Sequence, residues 1–366
     1  MARNRENSLL VIFMDIETKM SIIKSDPLEE IVTEGEMRNL LETNSSPKHY
    51  IGYEISGLPH IGTIVAAKKI LDLDKIGVKT QVLLADWHSM ANNKMGGDWD
   101  RILKLAEVFK KIFERLCPNT RIVLGSELYK GNDEYWKMLI QMSRRLTMAR
   151  ATRTLIIEGR SQKDTLHVSQ YIYPVMQAAD IWALDVDIPH AGMDQRRVHM
   201  LAKEIFPKLG LKNIVPIHHH LLPSLAKPPE MSGREKEEIV AEMKMSKSKP
   251  GSFIGIFQSD EEIDRSINKA WCPEREAAGN PLLEICRYLI IPFSNVLKVE
   301  RKNEHGGDVE YATYPELEKD FTAGKIGPQD LKPAVAEALK RIIKPLRGLY
   351  SAEQIKEFVQ AQGANS

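Results

Sequence analysis

The sequence has few of the features that mark secreted, membrane or metal-binding proteins. It contains only three cysteines, Cys117, Cys272 and Cys286. Their odd number and wide spacing indicate free thiols in a reducing compartment rather than disulfides or paired metal ligands. The longest apolar run near the start, residues 9–14, is too short to span a bilayer, and no small-residue cleavage site follows it. We therefore expect a cytoplasmic protein with no membrane attachment.

The chain also lacks an excess of either charge. Its 51 lysines and arginines are balanced by 50 aspartates and glutamates, which leaves a formal net charge of +1. Any surface that binds a nucleic acid must therefore be a local basic patch. Neither GxxxxGK[ST] nor GxGxxG occurs in the sequence. Their absence argues against a P-loop nucleoside triphosphatase and a dinucleotide-dependent oxidoreductase.

Three consecutive histidines, residues 218–220, are the one feature that suggests a metal ion. Successive side chains on a strand point to opposite faces, so adjacent histidines rarely converge on one ion. We therefore predict no metal site held by the protein.

The order of periodic segments predicts an α/β fold. Residues 48–56 alternate as a strand, residues 57–59 form a turn, a helix follows over 62–74, and residues 78–85 read as a buried strand. This order begins a Rossmann-like, doubly wound parallel sheet. Further segments are predicted as helices at 98–116 with an Asp98 cap, 132–158, 165–184 with a kink at Pro174, and 194–206, and as strands at 120–125 and 214–217.

The length of 366 residues predicts more than one domain. We expect a helical N-terminal extension over residues 1–40 and a catalytic domain over 41–257 with a helical insertion near 90–160. The pattern after residue 257 is helical throughout, which predicts a separate α-helical domain over 258–366. The helices are expected at 260–270, 281–290, 313–323 and 328–348.

Two distant segments carry groups suited to a nucleoside triphosphate. Residues 57–63 (GLPHIGT) offer the imidazole of His60 and a small-residue turn at a helix N-terminus, where backbone N–H groups favour anions. Residues 244–248 (KMSKS) offer two lysines and two serine hydroxyls on a loop flanked by glycine and proline. Each segment alone is weak evidence. Together and in this order, they resemble the two signatures of class I aminoacyl-tRNA synthetases.

Polar side chains also gather where ligands bind in a parallel sheet, at the carboxyl ends of strands. Spacings of four and three place Tyr173, Gln177 and Asp180 on one helix face. An apolar pocket with such groups suits a zwitterionic amino acid that has a polar tip. The other candidates on or after the strands are Tyr50, Gly52, Glu54, Asp86, His88 and Gln195.

Three medium-length motifs extend the resemblance. Residues 50–57 (YIGYEISG), 173–180 (YPVMQAAD) and 192–200 (GMDQRRVHM) resemble the tyrosyl-tRNA synthetases of the archaeal and eukaryotic type, over roughly residues 45–350. The resemblance implies an enzyme that activates L-tyrosine with ATP and Mg²⁺ and transfers it to the 3′ end of tRNA(Tyr). It also implies an anticodon-binding role for the helical domain and a homodimer. The helix near 99–116 could supply the dimer interface or pack within one subunit.

The resemblance assigns a role to each matching position. For tyrosine these are Tyr50 and Asp180 at the hydroxyl, and Tyr173, Gln177 and Gln195 at the amino group. For catalysis they are His60, Thr63, Lys244 and Lys247, with Gly52, Gly57, Gly62, Met245, Ser246 and Ser248 completing the ATP site. For tRNA they are Arg153 and Arg196 at the first acceptor base pair, and His305 and Asp330 at the first anticodon base.

Two positions depart from the pattern of that family. Thr63 stands where many members have a second histidine of the signature, and His305 stands where an aromatic ring is common. Three other interpretations therefore remain open: a tryptophanyl-tRNA synthetase, a small-molecule nucleotidyltransferase of the same superfamily, and a non-catalytic paralogue that binds RNA. Tyr50 together with Asp180 favours tyrosine over tryptophan as the substrate.

Overall fold

The computed structural model describes residues 14–157, 167–228 and 253–362, apart from the side chains of Ile156, Ile157 and His305. The chain forms two compact units. The first contains residues 1–57 and 69–220, and the second contains residues 58–68 and 221–366. No helix within the described ranges is long and apolar enough to cross a membrane.

The first unit is built on a six-stranded sheet with the order β1-β6-β5-β2-β3-β4. Neighbouring strands from β6 to β4 run parallel, and β1 is an antiparallel edge strand. The predicted doubly wound α/β fold is therefore confirmed. The strands are β1 (Leu28–Ile31), β2 (His49–Glu54), β3 (Gln81–Ala85), β4 (Arg121–Leu124), β5 (Ile188–Gly192) and β6 (Ile217–His219).

The strand order reverses direction between β2 and β5. From β2 the chain moves outward through β3 to β4, then returns to the other side of β2 as β5 and continues to β6. In open α/β sheets such a reversal leaves a crevice at the carboxyl ends of the two central strands, and ligands bind there. In this unit the crevice lies beyond Glu54 on β2 and Gly192 on β5.

Helices connect and cover the strands of the first unit. Asp98 caps α5 as predicted, since its side chain accepts a hydrogen bond from the Arg101 N–H. The helices are α1 (Ile16–Lys24), α2 (Glu34–Thr43), α3 (Ile61–Lys75, shared with the second unit), α4 (Asp86–Ala91), α5 (Trp99–Leu116), α6 (Gly125–Tyr129), α7 (Asp133–Ser143), α8 (Met148–Ile157), α9 (Val168–Ala183) and α10 (Arg196–Lys208).

The apolar stripe of α5 packs within the subunit. Ile102 and Phe113 are fully buried, and Phe109 is 2% exposed. The ring of Tyr53 on β2 packs against Phe109 and Phe113, with centroids 5.9 and 4.8 Å away. Of the two explanations open for this stripe, burial inside one subunit is the one that the structure supports.

A buried lysine joins α3 to the end of α1. Lys69 has no exposed surface, and its Nζ donates to the carbonyl oxygens of Ile23 and Ser25, both at 2.8 Å. Carbonyl groups at a helix C-terminus have no partner in the helix itself, so the ammonium group supplies one. Asp72 lies 3.0 Å from the same Nζ and balances its charge.

Three sequence predictions in the first unit need correction. Residues 28–31, placed in a helical extension, form the edge strand β1, which pairs with β6. The helical stretch predicted over 132–158 is interrupted, because the Thr147 hydroxyl accepts from the Arg150 N–H and begins a new helix. The last strand was predicted at 214–217 and lies at Ile217–His219.

The second unit is mainly helical. Its helix at Asp260–Lys269 was predicted at 260–270, and a capping box at Ser259 begins it. A π-helical turn at Cys286–Ile290 separates the second and third helices. The helices are α11 (Asp260–Lys269), α12 (Pro281–Ile285), α13 (Ile291–Ser294), α14 (Tyr314–Thr322), α15 (Pro328–Arg347) and α16 (Ala352–Gln362).

The prediction that this region is helical throughout is wrong at one place. Strands β7 (Leu297–Val299) and β8 (Val309–Tyr311) form a two-stranded antiparallel sheet. Each strand has three residues, too few for alternation to be visible in the sequence. Gly306 and Gly307 in the connection have positive φ angles, which glycine adopts without steric cost.

The last helix contacts the turn that carries the first signature. The Leu58 N–H donates to Gln362 Oε1 at 2.8 Å. On the same helix, the ring of Phe358 packs edge-on against Tyr350, with centroids 5.1 Å apart, and also lies near Phe257. These contacts hold α16 within the second unit.

Candidate functional site

Asp180 on α9 is a buried acidic group that side chains from α4, α6 and α7 contact. Its side chain is 1% exposed. The hydroxyls of Tyr129 and Tyr135 both donate to its Oδ1, at 2.9 and 2.8 Å. Its Oδ2 lies 3.5 Å from His88 Nε2 and has no hydrogen-bond partner in the described part of the chain. A buried acceptor in this state favours a ligand that brings a donor.

Burial sets the charge state of both partners in this contact. Burial raises the pKa of Asp180 to about 7, and the hydroxyls of Tyr135 and Tyr129 oppose that rise. Burial lowers the pKa of His88 to about 3. His88 is therefore neutral near pH 7, and its approach to Asp180 is not an ion pair.

Tyr50 on β2 contributes a neutral phenol to the same region. It is 1% exposed. Burial and the negative charge of Asp180 raise its pKa well above the usual value, and a hydrogen bond with Gln177 opposes this rise. A Cβ on Gly52 would lie 3.1 Å from the Tyr50 hydroxyl, so the absence of a side chain there leaves room for the phenol.

The structure brings four of the predicted tyrosine-binding residues together. Tyr173, Gln177 and Asp180 are all buried on α9, and Gln177 reaches Tyr50. The Tyr173 ring stands perpendicular to His88, with centroids 4.6 Å apart. The fifth residue is Gln195, at the end of the short turn Met193–Gln195 that follows β5.

Gln195 has a buried Oε1 with no hydrogen-bond partner among the residues that the structure describes. Its position after β5 and the position of Tyr50 on β2 place both residues at the reversal of strand order.

Sequence reasoning missed the two tyrosines that hold Asp180. Tyr129 ends α6 and Tyr135 lies in α7, and no motif in the sequence links either residue to α9. Their ring centroids are 4.6 Å apart. The spatial pairing depends on how α7 packs on α9, which local patterns do not reveal.

Asp86 lies close to Tyr129, with Gly125 between them. It is fully buried at the end of β3, and its carboxylate accepts from the backbone N–H groups of Trp87 and Ser126. Burial raises its pKa. A Cβ on Gly125 would lie 2.6 Å from Asp86 Oδ1 and 3.1 Å from the Tyr129 ring, so only glycine fits between them.

The first signature lies in the second unit from Leu58 onward. The Ile61 N–H donates to the Ile254 carbonyl at 3.0 Å, which anchors the start of α3. The Gly62 N–H donates to His60 Nδ1 at 3.1 Å, so the imidazole is folded over the first turn of the helix. Thr63 is 3% exposed and Gly57 has a φ of 126°. Lys244, Met245, Ser246, Lys247 and Ser248 lie outside the described residues.

The four predicted tRNA-binding residues have different surroundings. Arg153 is exposed on α8, whereas Arg196 forms a bidentate ion pair with Glu30 on β1. Asp330 accepts from the Gly327 N–H at 2.9 Å and caps α15. His305 ends the short turn Asn303–His305, and its side chain is not described.

The consecutive histidines diverge as the strand geometry predicted. His218 contacts His199 and Glu30, whereas His219 contacts His190. His190 in turn contacts His49 at 3.1 Å. Within the described ranges, no group of three or more histidine, cysteine or acidic side chains is placed to hold a metal ion.

Comparisons with known proteins identify the family of the chain. The sequence profile of tRNA synthetases class I (W and Y) matches residues 42–344. The chain is 45% identical over 355 residues to tyrosine–tRNA ligase 1 of Pyrobaculum aerophilum, across 91% of this chain and 94% of that protein. It is 43% identical over 356 residues to the tyrosine–tRNA ligase of Thermococcus kodakarensis, across 91% of this chain and 95% of that protein. The solved tyrosyl-tRNA synthetase of Pyrococcus horikoshii, complexed with L-tyrosine, matches with a TM-score of 0.86 and 40% identity. The match covers 95% of this chain and 99% of that one.

Proposed function

The chain belongs to the class I tRNA synthetases of the tryptophan and tyrosine (W and Y) family and is a tyrosine–tRNA ligase, and we propose that the residues around Asp180 form its tyrosine pocket. One observation carries this assignment. Asp180 is a buried acidic group whose Oδ2 has no hydrogen-bond partner among the described residues.

A phenol fits this carboxylate better than an indole does. The substrate hydroxyl would donate to Asp180 Oδ2 and accept from the Tyr50 hydroxyl, which burial keeps protonated. Indole offers an N–H donor but no acceptor for Tyr50. This chemistry supports tyrosine over tryptophan as the substrate.

The other end of the amino acid would be held by amides and a phenol. Tyr173 and Gln177 lie on the same face of α9 as Asp180, and Gln195 opens α10. Their oxygens can accept hydrogen bonds from an α-ammonium group. The spare acceptor on Gln195 supports its inclusion in the set.

Activation requires no general base, because the tyrosine carboxylate is already an anion. One of its oxygens forms a bond to the α-phosphorus of ATP while the bond from that phosphorus to the bridging oxygen breaks, and pyrophosphate leaves. Catalysis then consists of positioning and charge stabilisation. His60 over the N-terminus of α3 is suited to phosphate oxygens. Lys244 and Lys247 would stabilise the leaving pyrophosphate, with Thr63, Gly52, Gly57, Gly62, Met245, Ser246 and Ser248 completing the ATP site.

Mg²⁺ would accompany the nucleotide. The ion would be coordinated mainly by phosphate oxygens and water, as is usual for Mg²⁺ that binds together with a nucleotide. When bound, it neutralises charge on the phosphates.

In the second step, the 2′-hydroxyl of the terminal ribose of tRNA(Tyr) attacks the carbonyl carbon of tyrosyl-adenylate, and AMP leaves. Arg153 and Arg196 are proposed for the acceptor stem, and His305 and Asp330 for the anticodon. The exposed position of Arg153 supports its part in this assignment.

We retain the functional division into an N-terminal extension (1–40), a catalytic domain (41–257) and an anticodon-binding domain (258–366) as a proposal. The compact units divide elsewhere, after residue 220. A homodimer is likewise proposed, on the family resemblance. A location in the cytoplasm is proposed on the three widely spaced cysteines, which indicate a reducing compartment.

ATP–pyrophosphate exchange without tRNA tests the pocket directly. We expect exchange with tyrosine and not with tryptophan or phenylalanine. Asp180→Asn should lower kcat/KM for tyrosine roughly 10- to 100-fold, the range for a hydrogen bond to a charged group. Asp133→Asn, at an exposed position on α7, is the matched control. Exchange with tryptophan would overturn the pocket assignment.

A further inference from the structure

The hydrogen bonds to Asp180 are distributed unevenly over its two oxygens. Oδ1 accepts from Tyr129 at 2.9 Å and from Tyr135 at 2.8 Å. Tyr135 also lies 3.3 Å from the Met176 carbonyl, but the shorter contact is the one to the charged oxygen. Oδ2 has no hydrogen-bond partner within the described ranges. One oxygen is therefore saturated by the protein and the other is left for a ligand.

The two tyrosines are held rigidly. Tyr129 is 2% exposed and Tyr135 is fully buried. Their rings pack against each other and against Trp136, whose centroid is 6.2 Å from Tyr129 and 5.3 Å from Tyr135. At the start of α7, Asn132 accepts from the Tyr135 N–H and fixes that residue's backbone. Buried aromatic rings in such packing keep a single orientation, so their hydroxyls act as fixed donors.

Fixing one oxygen of a planar carboxylate also fixes the direction of the other. Two donors on Oδ1 constrain rotation of the Asp180 carboxylate and support its charged form in a buried place. With a single donor, the group could turn and offer Oδ1 or Oδ2 to a ligand. With no donor, burial would favour a protonated, neutral acid.

We propose that Tyr129 and Tyr135 are positioning residues that determine specificity. By saturating Asp180 Oδ1 they aim Oδ2 at the phenol of the substrate and so set the preference for tyrosine over phenylalanine. This inference rests on the tyrosine pocket proposed above. A site with a committed, unpaired acceptor disfavours a ligand that lacks the donor, because the acceptor then stays buried without a partner.

The test is the specificity ratio, which is kcat/KM for tyrosine divided by kcat/KM for phenylalanine in ATP–pyrophosphate exchange. Each of Tyr129→Phe and Tyr135→Phe should lower this ratio roughly tenfold, as expected for loss of a hydrogen bond to a charged group. The change should come mainly from a higher KM for tyrosine, with kcat and the phenylalanine reaction little altered. The double variant should lower the ratio further.

Tyr53→Phe is the matched control, because Tyr53 also packs among rings in the first unit but lies against Phe109 and Phe113. A purely structural role would change both amino acids alike and leave the ratio intact. A ratio within about twofold of wild type in a folded double variant would overturn the inference. Failure of the wild-type protein to exchange with tyrosine would instead refute the proposed pocket.

Discussion

The guanidinium group of Arg196 is held by the carboxylate of Glu30, with Nε 2.7 Å from Oε2 and NH2 2.8 Å from Oε1. The hydrogen bond from Arg196 is the main reason that the pKa of Glu30 is lowered. If the arginine reads the acceptor stem from this position, Arg196→Gln should slow tRNA charging by about tenfold or more, since one specific base contact contributes about 1–3 kcal/mol. Tyrosine-dependent exchange should not change.

Glu30→Gln is the matched variant, because it removes the counter-charge and keeps the arginine. We expect it to weaken charging less than Arg196→Gln does. Exchange and charging should be measured with the same preparation of Arg196→Gln. An equal loss of both activities would show that Arg196 stabilises the fold through the ion pair and does not contact the tRNA.

A methyl group at position 62 should separate stability from catalysis. The Cβ of Gly62→Ala would lie 2.6 Å from His60 Cε1 and would push the imidazole off the helix. Because the imidazole is a side chain that can rotate away, and alanine favours helix by about 1 kcal/mol over glycine, the melting temperature should not fall. Exchange activity should drop on the order of 100-fold, the effect of losing one preorganised contact.

Gly35→Ala is the control for that experiment, since a Cβ there meets no atom within 4 Å. The two variants should melt alike and differ only in activity. Unchanged exchange in Gly62→Ala would remove His60 from the proposed phosphate contacts.

The buried histidines should make the protein sensitive to acid. Burial lowers the pKa of His49 and of His88 to about 3, and the pKa values of His190 and His199 are lowered as well. Between pH 6.5 and 3 the unfolded chain binds protons at these sites that the folded chain does not, so stability falls as pH falls. The raised pKa of Asp180 acts in the opposite direction.

The buried histidines with lowered pKa values outnumber the buried carboxyl groups with raised pKa values, which are Asp86 and Asp180. We therefore expect a net loss of stability as the pH falls. Urea unfolding at a series of pH values should show the free energy of unfolding decreasing by at least about 1.4 kcal/mol per pH unit below pH 6. His49→Gln, which keeps a donor near His190, should reduce that slope. An identical slope in the variant would contradict the assignment.

Lys69→Met should be strongly destabilising, by about 3–5 kcal/mol, because it leaves Asp72 buried without its counter-charge and strips the carbonyls of Ile23 and Ser25 of their donor. Chemical denaturation measures this loss. Adding Asp72→Asn to the variant should recover part of it, since the buried charge that faced Lys69 is then removed. No recovery would mean that the carbonyl contacts dominate.

Much of the fold could be predicted from periodicity and capping. The alternation at residues 48–56 and the turn after it indicated β2 and the start of α3, and Asp98 marked the beginning of α5. Strand β1 could not be found in this way, because it is an edge strand of four residues whose partner β6 lies far along the chain. The same limit applies to the short β7 and β8 pair.

The site was predictable where its residues share one element. Tyr173, Gln177 and Asp180 follow a helical spacing, so their common face could be inferred before the structure was known. Tyr129 and Tyr135 reach Asp180 only through the packing of α7 on α9. Nothing local to residues 125–143 indicates that contact.

The hydrogen bond between Leu58 and Gln362 joins residues 304 positions apart in the sequence. During synthesis on the ribosome, the turn that carries His60 emerges early, and its partner on α16 emerges more than 300 residues later. This contact therefore cannot form in a nascent chain until nearly the whole second unit has left the exit tunnel. The surroundings of the signature turn would be completed late in translation, which delays full formation of this part of the enzyme until the unit has folded.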